Sequence, residues 1–455
     1  MNKREFLAMG GAVPLVLAGC GGSGSGSAPV RLVNASVGYP NLGFMVESTQ
    51  ATSSDVAYGS ASPFETVQAG SVGITLTVAG ASATSAQTRT VNKDQRYSLV
   101  AYGFANELKS VLIAESNTTP DTGKANVNVL NTSVDMGAVD VYLSTSKDLS
   151  VSTLIASSIS GVSQSAFSGV LAGSYYITVV GANSIAQNIS DVRFQSPAAI
   201  TLTALEVLTI ILTPGASGVL ANTILLTQGT SSSTGTVSYE NTTARVRAVT
   251  AVPGMAASVV GATASGTAVT VLASSTVQKY SKYFVVHTGA APTVTVNGAA
   301  IAVVMDSTDA TTGVVSQVTA ALLAGGDYTL MVYLDGSGNP VAKLVEDNNT
   351  AASTSTGVKF RLINLASDNQ GLELSMSLNG VGIASNVPYG AASEYHEVLN
   401  VPQGTASQLK VDNGASNVIT TSQVFPLGNV FTEIVVSVPP NGSKPLDFFD
   451  TASGN

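Results

Sequence analysis

Tryptophan is absent from this 455-residue chain, cysteine occurs once, histidine twice, and only 10% of residues are charged. Each shortage excludes something. One cysteine permits no disulfide within the chain and no Cys-Trp-Cys sandwich core. His287 and His396 fall in different predicted domains, so no two-histidine zinc site or second-histidine triad is available within one. Without Trp, and with aromatics at 6%, a sugar-stacking platform has little to build on. Nineteen Lys and Arg stand against 28 Asp and Glu, a net charge of −9 with no basic cluster, which argues against nucleic acid. Low charge combined with 44% hydrophobic residues is the reverse of a disordered composition. What remains is a folded chain rich in Gly, Ser, Thr and Ala, long enough for several domains of about 100 to 150 residues.

The first twenty residues read as an export signal. Lys3 and Arg4 precede an apolar stretch from Phe6 to Leu17, too short and too interrupted by Gly10, Gly11 and Pro14 to span a membrane. Its ending, Leu17-Ala18-Gly19-Cys20, resembles the lipobox of bacterial lipoproteins. That resemblance implies a signal peptide over 1–19, acylation at Cys20 and an N-terminal lipid anchor in a membrane of the cell envelope. Gly21, in place of a retention Asp, makes the outer membrane the expected destination. General secretion is the expected route, and Lys3-Arg4-Glu5-Phe6-Leu7 is a degenerate twin-arginine alternative. Residues 20–29 form a lipidated Cys and Gly/Ser tether, with a reach of about 17 Å beyond Cys20.

The rest of the chain repeats one theme four times. Val30-Arg31-Leu32-Val33-Asn34 returns as Val127-Asn128-Val129-Leu130-Asn131, more loosely as Val246-Arg247-Ala248-Val249-Thr250, and again as Phe360-Arg361-Leu362-Ile363-Asn364. The best internal match joins the first and last copies, Val56-Ala57-Tyr58-Gly59 with Val387-Pro388-Tyr389-Gly390. The runs are short, rich in Val, Ile, Thr and Tyr, often alternating, and bounded by Gly, Asn, Asp or Pro, which is the strand signature. The spacing predicts an all-β chain of tandem immunoglobulin-like antiparallel β-sandwich domains, with repeats at 30–117, 125–228, 244–347 and 358–455. Polar stretches at 118–124, 229–243 and 347–357 read as linkers, giving four beads on short strings. The apolar run 198–212 contains Glu206 and three Thr, and reads as two buried strands rather than a membrane helix.

Val30 to Ser36, the Val139-Asp140-Val141-Tyr142 run, the Ala172-Gly173-Ser174-Tyr175 turn and the strand Tyr97-Ser98-Leu99-Val100-Ala101-Tyr102-Gly103 resemble the bacterial secreted family known as domain of unknown function 4397. The likeness is good for the first two copies and looser for the others. It implies an exported sandwich-like repeat and carries over no catalytic residues.

The search for chemistry finds little. Gly-rich phosphate loops are missing. Asp335-Gly336-Ser337-Gly338-Asn339, with Glu346 at position twelve, has calcium-loop spacing, but Pro340 takes the required glycine's place and a hairpin turn explains the run better. No catalytic residues, metal ligands or cofactor are expected. The function read from these features is a non-enzymatic cell-envelope lipoprotein presenting tandem sandwiches for binding, adhesion or scaffolding. Its partners are a membrane through the lipid anchor and an unidentified protein or glycan, with no nucleic acid. The alternative is a carbohydrate-binding protein or hydrolase with a site between repeats.

Overall fold

The computed structural model describes residues 26–52, 55–116, 118–182, 191–228, 235–263, 266–276, 278–308, 315–354, 356–367, 372–437 and 443–449. Leu17, Ala18, Gly19 and Cys20, with the expected signal peptide and most of the expected tether, lie outside them. Four sandwiches follow in chain order, each built of two facing sheets. In every one, the opening strand lies inside the first sheet: Ser27–Asn34, Lys124–Asn131, Thr243–Ala251 and Val358–Leu365. Each runs parallel to the penultimate strand of its sandwich: Tyr97–Tyr102, Val207–Pro214, Asp327–Leu334 or Val430–Ser437. That strand pairs antiparallel with a closing strand: Lys109–Ala114, Ala221–Gln228, Pro340–Asp347 or Ser443–Phe449. The all-β tandem sandwiches stand as expected. The parallel pair in each is a departure from a purely antiparallel reading.

The opening strands are buried on both faces, and their sequences show why. Val30 and Leu32 enter the core of the first sandwich with Phe44, Leu76 and Leu99, while Val33 points the other way. Outside each sandwich the second face meets another sandwich. Val33, Val100 and Ile113 of the first pack on Leu130, Ile211, Ile224 and Leu226 of the second. Val249, Met331 and Tyr333 of the third pack on Ile363, Leu365, Ile434 and Val436 of the fourth. The expectation of beads on strings is therefore corrected: the sandwiches join in pairs along apolar seams, because their first sheets carry apolar residues on both sides.

The linkers are structured too. Thr236–Tyr239, expected to be linker, is a strand added to the edge of Ala221–Gln228; its Thr and Tyr suit a half-exposed edge position. The first strand begins at Ser27, inside the expected tether. Second and third sandwiches meet at two glycines, where a Cβ on Gly215 would stand 3.1 Å from the Gly325 Cα. Ser217 Oγ accepts the Asp327 amide there at 2.9 Å, and Asp135 Oδ1 accepts the Ala351 amide at 2.6 Å. The 198–212 run forms Ile200–Leu202 and Val207–Pro214, two strands paired with different neighbours.

Candidate functional site

Charged side chains on the seam-facing side of the opening strands are buried in places that apolar residues would otherwise fill. In the first seam Arg31 is 1% exposed. It meets Glu115 at 2.5 Å, donates to Ser98 Oγ at 2.9 Å and to the Thr227 carbonyl of the second sandwich at 3.1 Å, and lies over the Phe64 ring. Its counterpart in the second sandwich is Asn128, whose side-chain oxygen and nitrogen have no partner among the described residues.

The second seam holds more charge. Arg245 makes a two-pronged pair with Asp327 at 2.7 and 2.5 Å. Burial alone would lower the Arg245 pKa, but Asp327 holds it above its ordinary value. Asp347 accepts from Thr329 Oγ1 and the Tyr283 hydroxyl, both at 2.7 Å, and pairs with Arg361 from the fourth sandwich and with Arg247 at 3.9 Å. Tyr283 lies under Arg245 and Arg247, and Tyr395 under Arg361 and Lys359. Such a network excludes slippage of one sandwich against the other, because each buried charge separated from its partner costs several kcal/mol, roughly 3 to 5.

Beside the network opens a polar cleft of about 670 Å³, lined by Lys343, Lys359, Arg361, Glu346, Glu394 and Glu397 among others. Lys359 Nζ lies within 2.9 to 3.3 Å of four oxygens on Asn348 and Thr350. Burial pulls its pKa down to about 8, against the upward pull of Asp135 and Glu397. Lys343 Nζ meets Asp306 at 2.7 Å and the Gly390 carbonyl at 3.3 Å. Ser393, a lining hydroxyl next to Glu394 in sequence, donates to the Glu394 carbonyl and accepts the Leu362 amide, which are bonds of a turn rather than of an activated nucleophile. The cleft therefore offers fixed charges and hydrogen bonds to a polar ligand.

Residues singled out in the sequence fall as follows. His287 ends the strand Phe284–His287 and His396 opens His396–Val398, both exposed and in different sandwiches. Asp335 Oδ1 accepts the amides of Ser337 and Asn339, closing the hairpin between Leu334 and Pro340, while Glu346 lies in the following strand. The Asn339 amide, more than any other cause, lowers the Asp335 pKa. Among the described residues no group of three or more His, Cys, Asp or Glu is placed to hold a metal ion. Tyr58 and Tyr389 occupy equivalent seam positions: Tyr58 shares a 2.9 Å hydrogen bond with Thr213 of the second sandwich, and Tyr389 donates to the Leu334 carbonyl of the third at 2.8 Å.

Sequence reasoning missed the buried arginines, Lys343 and Lys359. A usable signal was present: an arginine recurring between apolar residues in Val30-Arg31-Leu32, Val246-Arg247-Ala248 and Phe360-Arg361-Leu362 marks a strand with two covered faces.

No curated protein matches the chain. Residues 28–142 match a family described as a domain of unknown function, DUF4397. The match takes in nearly all of the first sandwich and reaches into the second strand of the second, a shorter reach than the likeness read from the repeats, and over that stretch the chain resembles this family.

Proposed function

We propose that the protein is a non-enzymatic lipoprotein of the cell envelope, anchored through Cys20, and that its paired sandwiches form a firm surface for binding, adhesion or scaffolding.

 The outer membrane is the destination this reading assigns, on the strength of Gly21 after the lipobox-like Leu17-Ala18-Gly19-Cys20. One structural observation supports this reading: Arg31 pairs with Glu115 at the first seam and Asp347 takes both Arg247 and Arg361 at the second, so the buried charges are spent on holding sandwiches together. Two or three acyl chains would hold the anchor stably, at about 0.8 kcal/mol per buried CH₂. The test is protease accessibility on intact cells with a tag after Asn455, alongside Cys20→Ala. Wild-type protein is expected in the membrane fraction, and Cys20→Ala is expected to be released; equal membrane retention of both would refute the anchor. Shaving on intact cells would place the surface in the medium, and resistance until the outer membrane is opened would place it in the periplasm.

The polar cleft beside the second seam favours a second reading, a glycan-binding or hydrolytic site between repeats that uses Glu346, Glu394 or Glu397. A glycan array and a hydrolase screen, both silent, would remove it.

A further inference from the structure

We propose that the first sandwich binds an extended acidic strand of a partner protein along the open edge of Lys109–Ala114, with Arg89 and Lys109 receiving its carboxylates. Three observations converge on that edge.

Among the described residues Lys109–Ala114 ends its sheet, with Tyr97–Tyr102 as its one neighbour. The Glu115 amide bonds the Arg96 carbonyl, so by antiparallel alternation the backbone groups of Ser110, Leu112 and Ala114 point outward. An edge of this kind is a template for another strand.

The chain itself fills the equivalent edge in the two middle sandwiches. Thr236–Tyr239 pairs with Ala221–Gln228 in the second. In the third, Val303–Thr308 pairs with Pro340–Asp347, and Asp306 on the added strand meets Lys343 on the closing strand at 2.7 Å. An added strand bearing an acid, paired to a closing strand bearing a lysine, is thus already present in this fold.

Beside the open edge of the first sandwich runs a groove of about 560 Å³, lined by Tyr39, Gln87, Arg89, Tyr102, Asn106 and Lys109 among others. Both charged residues in that lining are cations. Arg89 donates to the Ser110 carbonyl at 2.8 Å, which places its guanidinium at the open edge as a charged partner for a carboxylate. Glu107, close by in sequence, lies within electrostatic reach of Lys359 and Asp135 at the junction with the other sandwiches. The groove lies at the end of the sheet remote from Gly26, since Val30 pairs with Tyr97 and Asn34 with Ala101, so it faces away from the start of the first strand.

This proposal deepens the binding reading and rests on it. The test uses the full mature chain and a fluorescent octapeptide of alternating Thr and Glu, with a Thr–Lys octapeptide as its counterpart. The Thr–Glu peptide is expected to bind at least tenfold more tightly than Thr–Lys. Arg89→Gln is expected to weaken it by tenfold or more, and Ser110→Pro, which removes one outward amide and keeps the carbonyl that Arg89 uses, to weaken it as much with the melting temperature unchanged. If Ser110→Pro does not fold, protection of the Leu112 and Ala114 amides from hydrogen exchange on adding the peptide to the wild-type chain replaces it. Absence of Thr–Glu binding at millimolar peptide, equal binding of Thr–Lys, undiminished binding to Ser110→Pro, or no added amide protection would each overturn the proposal. Membrane anchoring through Cys20 is measured separately, so failure of the edge and failure of the broader reading are distinguishable.

Discussion

Glu433 occupies a place that the three earlier sandwiches give to Leu99, Ile210 and Leu330, all fully buried. The parallel register fixes the equivalence, each facing the same position of its opening strand: Leu32, Val129, Ala248 or Leu362. Neither Glu433 carboxyl oxygen has a hydrogen-bond partner among the described residues. Burial, and then the neighbouring Asp447 carboxylate, push its pKa well above the ordinary range. The folded state therefore binds a proton that the unfolded state releases, and its contribution to stability is present below the ordinary carboxylate range and lost as pH rises. Melting temperature measured from pH 4 to 8 should fall more steeply in the wild type than in Glu433→Gln. Glu433→Leu should stabilise the fourth sandwich at neutral pH by about 1–3 kcal/mol, and a loss of stability would contradict the burial argument. Lys359 has the opposite sign of linkage. Its pKa is pulled down to about 8 by burial, so the unfolded chain binds the extra proton and stability rises with pH between that value and the ordinary lysine range. In denaturation series across this window, Lys359→Met should flatten that rise relative to the wild type; parallel curves would refute it.

At the scale of elements, the opening strand explains both what the sequence made legible and what it hid. Its recurring asparagine is a pin: Asn34, Asn131 and Asn364 each donate to two carbonyls and accept the amide two residues on. Asn34→Ala or Asn364→Ala should cost about 1–3 kcal/mol, measured by urea denaturation, through the carbonyls left without donors. Strand identity, repeat count and approximate boundaries follow from short β-branched runs and turn residues, which are local properties. Seams are not local. Val33 and Ile363 read as the outer face of a strand, and nothing within their own repeats tells that another sandwich covers them. The match between the first and last copies was such a hint. Gly59 and Gly390 both have φ of +76°, and each donates its amide to the asparagine carbonyl of its opening strand. Each also accepts a bond from the adjoining sandwich at its carbonyl, from Thr236 and Lys343 respectively. Their preceding tyrosines cross the seams. The first and fourth sandwiches therefore resemble one another because they play the same part in the two pairs.

For the whole molecule, a single cysteine leaves stability to buried apolar surface and the seam networks, so dithiothreitol should not shift the melting temperature. The polar cleft and the open strand edge could not be found from composition, since both depend on how sandwiches and sheets are placed rather than on any motif. The central claim is that the sandwiches are coupled in pairs. It is tested most directly by placing a charge in one seam, Val33→Asp, and mapping amide hydrogen exchange along the full chain. Coupling predicts lost protection in the strands of both the first and second sandwiches, Ala221–Gln228 included, with the third and fourth unchanged. Loss confined to residues 27–114 would show that the sandwiches are independent and would contradict the account.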